Sequence, residues 1–210
     1  MTRKRMSAEN RKKSIIEAAI HVISRLNYDC ATTALIAKEA GINEALIYSH
    51  FKSKKDLQLA TLDYLLEYRI QKYASNPVFQ SQNSNHSIIR ALIDQYLKET
   101  QDPDVDMFDC LLKSLFAIDD EIREKGRDII STIHDFNRKN VIEDMHRGFL
   151  KTDINIDIIA WEMLGKILMV SILAVIGNLQ QYGIDNFKES INYFEEAFLH
   201  KRPVKKNKTK

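Results

Sequence analysis

Apolar residues recur at three- and four-residue intervals through most of this 210-residue chain. In the first block Ile15, Ala19, Val22 and Leu26 fall on one stripe, joined by Ile16, Ile20 and Ile23. That spacing predicts a helix from about Ala8 to Leu26, docked on a core through a broad apolar face. His21 lies close to the stripe and is expected to be a partly buried structural residue. After a short connection Thr32 is a natural N-cap, its hydroxyl able to accept a backbone N–H. The helix it opens, Thr33 to Ala40, is closed by Gly41, which can take the left-handed conformation that ends helices. Asn43 is a second N-cap, for a further short helix to about Phe51. Two short helices joined by a tight Gly-containing turn, behind a longer supporting helix, form a helix-turn-helix unit.

A long helix is predicted from about Lys54 to Tyr73, with Leu57, Leu62, Leu65 and Leu66 as its apolar positions. The polar segment Ala74 to Asn85 reads as a loop. Further helices are predicted at Ser87–Gln101, Asp106–Ile118, Asp120–Arg147, Asn155–Tyr182 and Asp185–His200, making about nine helices and no strand. The fold class is therefore all-α. Composition agrees, because 6 Gly and 3 Pro are too few for the turns of a sandwich, a barrel or an alternating α/β fold. The longest apolar stretch, Ile167 to Ile176, meets Lys166 and Glu162 short of a ~20-residue membrane span, so it reads as a buried helix and no membrane association is expected. Cys30 and Cys110 cannot build a disulfide framework or a four-ligand zinc site alone. The start, Met1 to Met6, is basic but leads into Ser-Ala-Glu-Asn, not into the apolar run of a secretory signal. A reducing cytoplasm is the expected compartment.

Charge changes the picture. The net +2 hides 11 Lys/Arg against 6 Asp/Glu in residues 1–58, and 14 against 23 in residues 59–200. A basic N-terminal segment on an acidic body is the layout of a protein that presents one end to a polyanion. The last ten residues carry a further six positive charges with nothing to pack, so 201–210 is expected to be a disordered basic tail.

The run Thr32-Thr33-Ala-Leu-Ile36-Ala37-Lys-Glu-Ala40-Gly41-Ile42-Asn43-Glu-Ala45-Leu-Ile47-Tyr48-Ser-His50-Phe51-Lys-Ser-Lys54-Lys-Asp-Leu57 resembles the N-terminal signature of TetR-family transcriptional regulators. The similarity covers about 45 residues with the preceding helix. Gly148 to Asp153 is more weakly similar to the turn before the family's penultimate helix. The resemblance implies a DNA-binding domain at 1–56, with its helix-turn-helix at about 32–51, and a ligand-sensing and dimerisation bundle at 57–200. Thr32, Thr33, Tyr48, His50 and Lys54 can offer hydroxyl, ring and ammonium donors to backbone phosphate. By position in the second short helix, Asn43, Glu44, Ala45 and Leu46 are the base-edge candidates. Glu44 departs from the family pattern: it either accepts from a cytosine amino group or simply satisfies the helix N-terminus. Ala45 stands where Gly is common. Leu35 replaces a usually polar residue and is either exposed or packed on the first helix.

No catalytic constellation emerges, and no cofactor or enzyme activity is expected. Glu143-x-x-His146 is a single copy of a motif that di-iron bundles need twice, so no metal is expected. The last two helices are unusually apolar. Ile167, Val170 and Leu173, with Phe187, Ile191, Phe194 and Phe198, are candidates for a face shared with a second copy, and the resemblance implies a four-helix dimer interface there. Phe108, Leu111, Leu112, Phe116, His134, Phe136, Asn137 and Trp161 are candidates for the wall of a small-molecule pocket. The implied function is a homodimeric regulator, on family grounds a repressor, that binds a near-palindromic double-stranded operator and is released by an unknown small-molecule effector. A helical-bundle enzyme, or a protein-interaction module with a basic head, are the alternatives.

Overall fold

The computed structural model describes residues 7–80, 86–99, 105–177, 181 and 184–198. The first helix, α1 (Ala8–Arg25), begins where Ser7 accepts the backbone N–H of Asn10. Helices α2 (Thr33–Glu39) and α3 (Glu44–Tyr48) follow, then α4 (Lys54–Ala74), each opened by a side-chain cap from Thr32, Asn43 or Ser53. Beyond them lie α5 (Pro77–Gln80), α6 (Ile88–Glu99), α7 (Val105–Ser114), α8 (Asp120–His146), α9 (Ile156–Val175) and α10 (Ile184–Phe198). The protein is all-α, with no strand among the described residues. All nine helices expected from the apolar spacing are present.

The ends differ in places, each with a local cause. The second short helix stops at Tyr48, not near Phe51, because Phe51 is drawn into the core. Helix α7 stops at Ser114, short of Ile118, where the Asp29 carboxylate accepts the N–H of Ile118 at 3.2 Å. Helix α9 ends at Val175, followed by Gly177 at φ 73°, well before Tyr182. The segment read as a loop carries one further helical turn, α5, which starts on Pro77, where a missing N–H costs nothing. His21 is exposed, turned outward between buried Ile20 and Val22. The basic tail 201–210 lies outside the described residues.

Two compact units form, one from Met1–Asn76 with Glu99–Thr132, the other from Pro77–Lys98 with Ile133–Lys210. In the first, α1 packs on α2, α4 and α7, and α2 packs on α3. Its core joins Ile15, Ala19 and Ile23 of α1 to Ile36, Ile47, Phe51, Leu57 and Leu62. The helix-turn-helix therefore shares one unit with α7 and the start of α8. Tyr28 anchors this arrangement. Its hydroxyl lies 3.1 Å from Cys110 Sγ, and its carbonyl accepts from Gln58 Nε2 at 2.5 Å. Burial, reinforced by Cys110, pushes the Tyr28 hydroxyl pKa well above its ordinary value. Lys113 Nζ donates to the Ser24 carbonyl and to Asp109 at 2.8 Å. Lys55 pairs with Glu121 at 3.0 Å and Asp119 at 3.2 Å.

The second unit is built from α6, the later half of α8, α9 and α10. Its core includes Ile89, Leu92, Tyr96, Val141, Ile159, Leu164, Val170, Ile191 and Phe194. The fully buried Asp144 caps α6 from another helix, accepting from Ser87 Oγ at 2.6 Å and from the N–H groups of Ile88 and Ile89 at 2.9 Å. Gly148, at φ 72°, ends α8, and the next N–H, from Phe149, returns to the Asp144 carbonyl at 2.8 Å. Tyr96 donates to the Ile167 carbonyl at 2.7 Å, pinning α6 to α9.

Candidate nucleic-acid interface

The turn of the helix-turn-helix is set by Gly41 at φ 63°, after which the Ile42 N–H returns to the Ala37 carbonyl at 3.0 Å. Asn43 then opens α3, its Oδ1 accepting the Leu46 N–H at 2.9 Å. Asn43, Glu44 and Ala45 are exposed, and Leu46 is half-buried above Ile47, which is fully inside. The start of α3 is thus open to solvent, while its inner side holds it to the core.

Thr32 is exposed and accepts the Leu35 N–H at 3.2 Å, so its own O–H remains directed outward as a donor. Leu35 is exposed. Thr33 behaves differently from its neighbour. It is 7% exposed, and its hydroxyl donates to Glu44 Oε1 and lies 3.1 Å from the Tyr48 hydroxyl. This is a correction to the reading of Thr33 as a phosphate donor: its hydroxyl is used inside the head. The three side chains tie the first residue of α2 to both ends of α3 and so fix how the two short helices cross. They also give Glu44 a task absent from both sequence readings. Its carboxylate favours the positive end of α3 while serving as the acceptor for Thr33. Spacing alone names these residue types, but their meeting depends on the turn at Gly41.

Tyr48 is half exposed, with its ring at the outer surface. His50 is half-buried, and Lys54 donates from Nζ to the Asp29 carbonyl at 2.9 Å. Two further cations shape the surface. Lys12 lies over the Phe51 ring, 5.7 Å from its centre, and Lys52 is exposed beside the cap of α4. Lys55 is held by its acids: the Glu121 and then the Asp119 carboxylates raise its pKa. The open end of α3, the outward hydroxyl of Thr32, the exposed Tyr48 ring and the cations around them form one surface suited to phosphate.

The other expected sites are placed as follows. Val170, Ile191 and Phe194 are buried in their own unit; Ile167, Leu173, Phe187 and Phe198 are half-buried. The outward side of α9 carries Ile158, Trp161, Met169, Ile172 and Ile176, with Gly165 between them, and Tyr193 is exposed on α10. Of the pocket candidates, Leu111 is buried, Leu112 and Phe136 are half-buried, and Asn137 is buried. Phe116 is 82% exposed, held in a turn that projects it outward, so it lines no interior wall. The Phe108 side chain lies outside the described residues. Trp161 is 63% exposed, with its ring centre 5.0 Å from that of His134.

Two short helices joined by a tight glycine turn, the second open to solvent at its N-terminal end, define a helix-turn-helix unit. Residues 15–61 match the family described as bacterial regulatory proteins, tetR family. The HTH-type transcriptional regulator BetI of Brucella melitensis is 35% identical over 91 residues, 43% of this chain and 45% of the relative. The nucleoid occlusion factor SlmA of Haemophilus influenzae is 25% identical over 91 residues, 42% of each chain. The chain thus spans less than half the length of these curated relatives. The fold is shared more widely. A TetR-family regulator from Cytophaga hutchinsonii superposes with a TM-score of 0.75 at 17% identity, covering 95% of this chain and 100% of the other. A Saccharomonospora viridis protein solved in complex with choline gives 0.70 at 19% identity, covering 92% and 100%.

Proposed function

We propose that the chain is a homodimeric transcriptional regulator that holds a near-palindromic operator with two copies of its head and releases it when a small molecule binds the second unit. The observation that carries this reading is the open N-terminal end of α3, braced from behind by Thr33, Glu44 and Tyr48. Asn43, Glu44, Ala45 and Leu46 are the proposed base-edge residues. Thr32, His50 and Lys54 are the proposed phosphate contacts, with the exposed Tyr48 ring packing beside them. Two heads related by a two-fold axis would enter successive major grooves about 34–36 Å apart. Repression is the proposed sign of regulation, and the cytoplasm, where the operator lies, the proposed compartment.

The homodimer is supported by α9. Ile158, Trp161, Gly165, Met169, Ile172 and Ile176 recur at three and four residues, forming one outward stripe about 27 Å long. Helix α9 is also long and apolar enough to cross a membrane, but its opposite side is packed into the core of its own unit. A one-sided stripe suits a second copy better than lipid. The effector is supported by the choline held in the Saccharomonospora viridis neighbour.

Selection of bound duplexes from a random pool tests the reading. It predicts recovery of an inverted repeat whose affinity falls steeply with salt, because phosphate contacts release counterions. Lys54→Gln should weaken selected and random duplexes alike and reduce the salt slope by about one. Salt-insensitive binding, or a recovered pool without enrichment, would overturn it.

A further inference from the structure

The second unit satisfies almost every polar side chain that it buries. Asp144 accepts three hydrogen bonds, Asn140 donates to the Phe136 carbonyl at 2.8 Å, and Ser171 donates to the Ile167 carbonyl at 3.0 Å. Two atoms on α8 break this pattern. Asn137 is 2% exposed, and its amide nitrogen is closed off from solvent with no hydrogen-bond partner. His134 Nε2 is closed off in the same way. The two residues are three apart on one helix and so share a face. A buried polar group left without a partner is destabilising, a cost that a folded chain carries where a ligand repays it.

We propose that His134 and Asn137 recognise the effector, and that it is a small uncharged molecule bearing a hydroxyl or carboxamide on an apolar or aromatic body. The inference rests on the effector-responsive reading above and specifies its chemistry. His134 Nδ1 lies 3.8 Å from the Asp135 carboxylate; in the neutral imidazole that carries its proton on Nδ1, Nε2 is an acceptor. Asn137 Nδ2 is a donor. An acceptor and a donor one helical turn apart match a group that both gives and takes a hydrogen bond, as a hydroxyl or an amide does. A carboxylate matches poorly, since it can only accept and would set a negative charge against the lone pair of Nε2. The cations nearby are already engaged: Arg138 with Asp157 at 2.7 Å, and Lys166 with Glu162 at 3.1 Å. The Trp161 ring, 5.0 Å from the imidazole, supplies an aromatic neighbour for the body of the ligand.

Trp161 is the one tryptophan in the chain, so its fluorescence reports this spot directly. Benzyl alcohol, benzamide, benzoate and toluene share one body and differ in head group. Titrated into the full chain, benzyl alcohol or benzamide should saturate the Trp161 signal at millimolar concentration, as probes of this size allow. Benzoate and toluene should bind at least about tenfold more weakly, the loss that one unmade buried hydrogen bond entails. Asn137→Leu should erase the preference among the four probes. It should also leave the probe-free melting temperature unchanged or raised, since an unpaired group has been removed. Equal binding of all four, no saturation by any, or an unaltered preference in Asn137→Leu would overturn the proposal and leave the pair as the seat of a trapped water. Binding of the selected duplex without probe is read on the same preparation. If duplex binding persists while the probes fail, the effector assignment alone falls; if the probes bind while duplex binding is absent, the DNA-binding reading falls.

Discussion

Placing one charge in the outward stripe of α9 should separate the dimer without unfolding the subunit. Met169 stands near the middle of the stripe, whose five large residues are between 43% and 63% exposed in the single chain. Together they offer on the order of 500 Å² of apolar surface per copy. Pairing two copies would remove about 1,000 Å² from water, the lower bound for a specific interface. At about 25 cal/mol per Å² this gives roughly 25 kcal/mol gross, against an association cost of about 4–15 kcal/mol. In a symmetric dimer Met169→Glu enters twice, near the axis, and each carboxylate must leave water or keep the helices apart. At about 3 kcal/mol for each copy, the penalty is about 6 kcal/mol, a weakening of roughly 10⁴-fold. Sedimentation equilibrium should then show a monomer at micromolar concentration where the parent is a dimer. Helical circular dichroism and the melting of the single chain should be retained, because the side chain is more than half exposed. A Met169→Glu protein that stays dimeric with unchanged affinity would refute the assignment of this face.

Three other outcomes follow from particular contacts. Asp144→Ala leaves the Ser87 hydroxyl and two buried N–H groups without their acceptor, so urea unfolding should show a loss of about 3–5 kcal/mol; a loss below about 1 kcal/mol would mean that the cap is replaced by water. Thr33→Val removes the brace to Glu44 and Tyr48, and fluorescence anisotropy should show the selected duplex weakened more than random ones, because Glu44 loses the partner that orients it; unchanged binding of the selected duplex would mean that the brace does not position α3. Slight burial pushes the Asp119 carboxyl pKa up, but the Lys55 ammonium and the N–H groups of Ile122 and Glu121 outweigh it and hold the carboxyl below its ordinary value. Its contribution to stability is therefore present above the unfolded aspartate pKa and lost as pH falls through the lower folded value. An NMR titration should show that depressed midpoint, and Lys55→Met should move it upward; a midpoint that ignores the substitution would remove Lys55 from the cause.

The helix-turn-helix was legible because each of its signals is local. Thr32, Gly41 and Asn43 act on backbone groups three or four residues away, and Ile36, Ile47 and Phe51 fill a core small enough to be set by spacing. The role of Thr33 was not legible, since two adjacent threonines at a helix start look equivalent until the turn brings Glu44 and Tyr48 to one of them. Which side of α9 its own unit covers was not legible for a related reason. The helix is apolar nearly all round, so periodicity could not say which side the chain itself covers. Val170 turned out to face inward and Met169, its neighbour, outward. Asn137 and His134 were visible as polar residues among apolar ones, but that their polar atoms find no protein partner is a property of packing.

Two heads that grip DNA together make affinity depend on the distance between half-sites, and a spacing series tests that most directly. A duplex carries the selected half-site twice, inverted, with the centre-to-centre distance stepped through a full helical turn, and affinity is measured at each step. One sharp optimum is expected at about 34–36 Å, with binding reduced to that of a single half-site when the second copy is rotated by half a turn. Equal affinity at every spacing, or for one half-site alone, would contradict it.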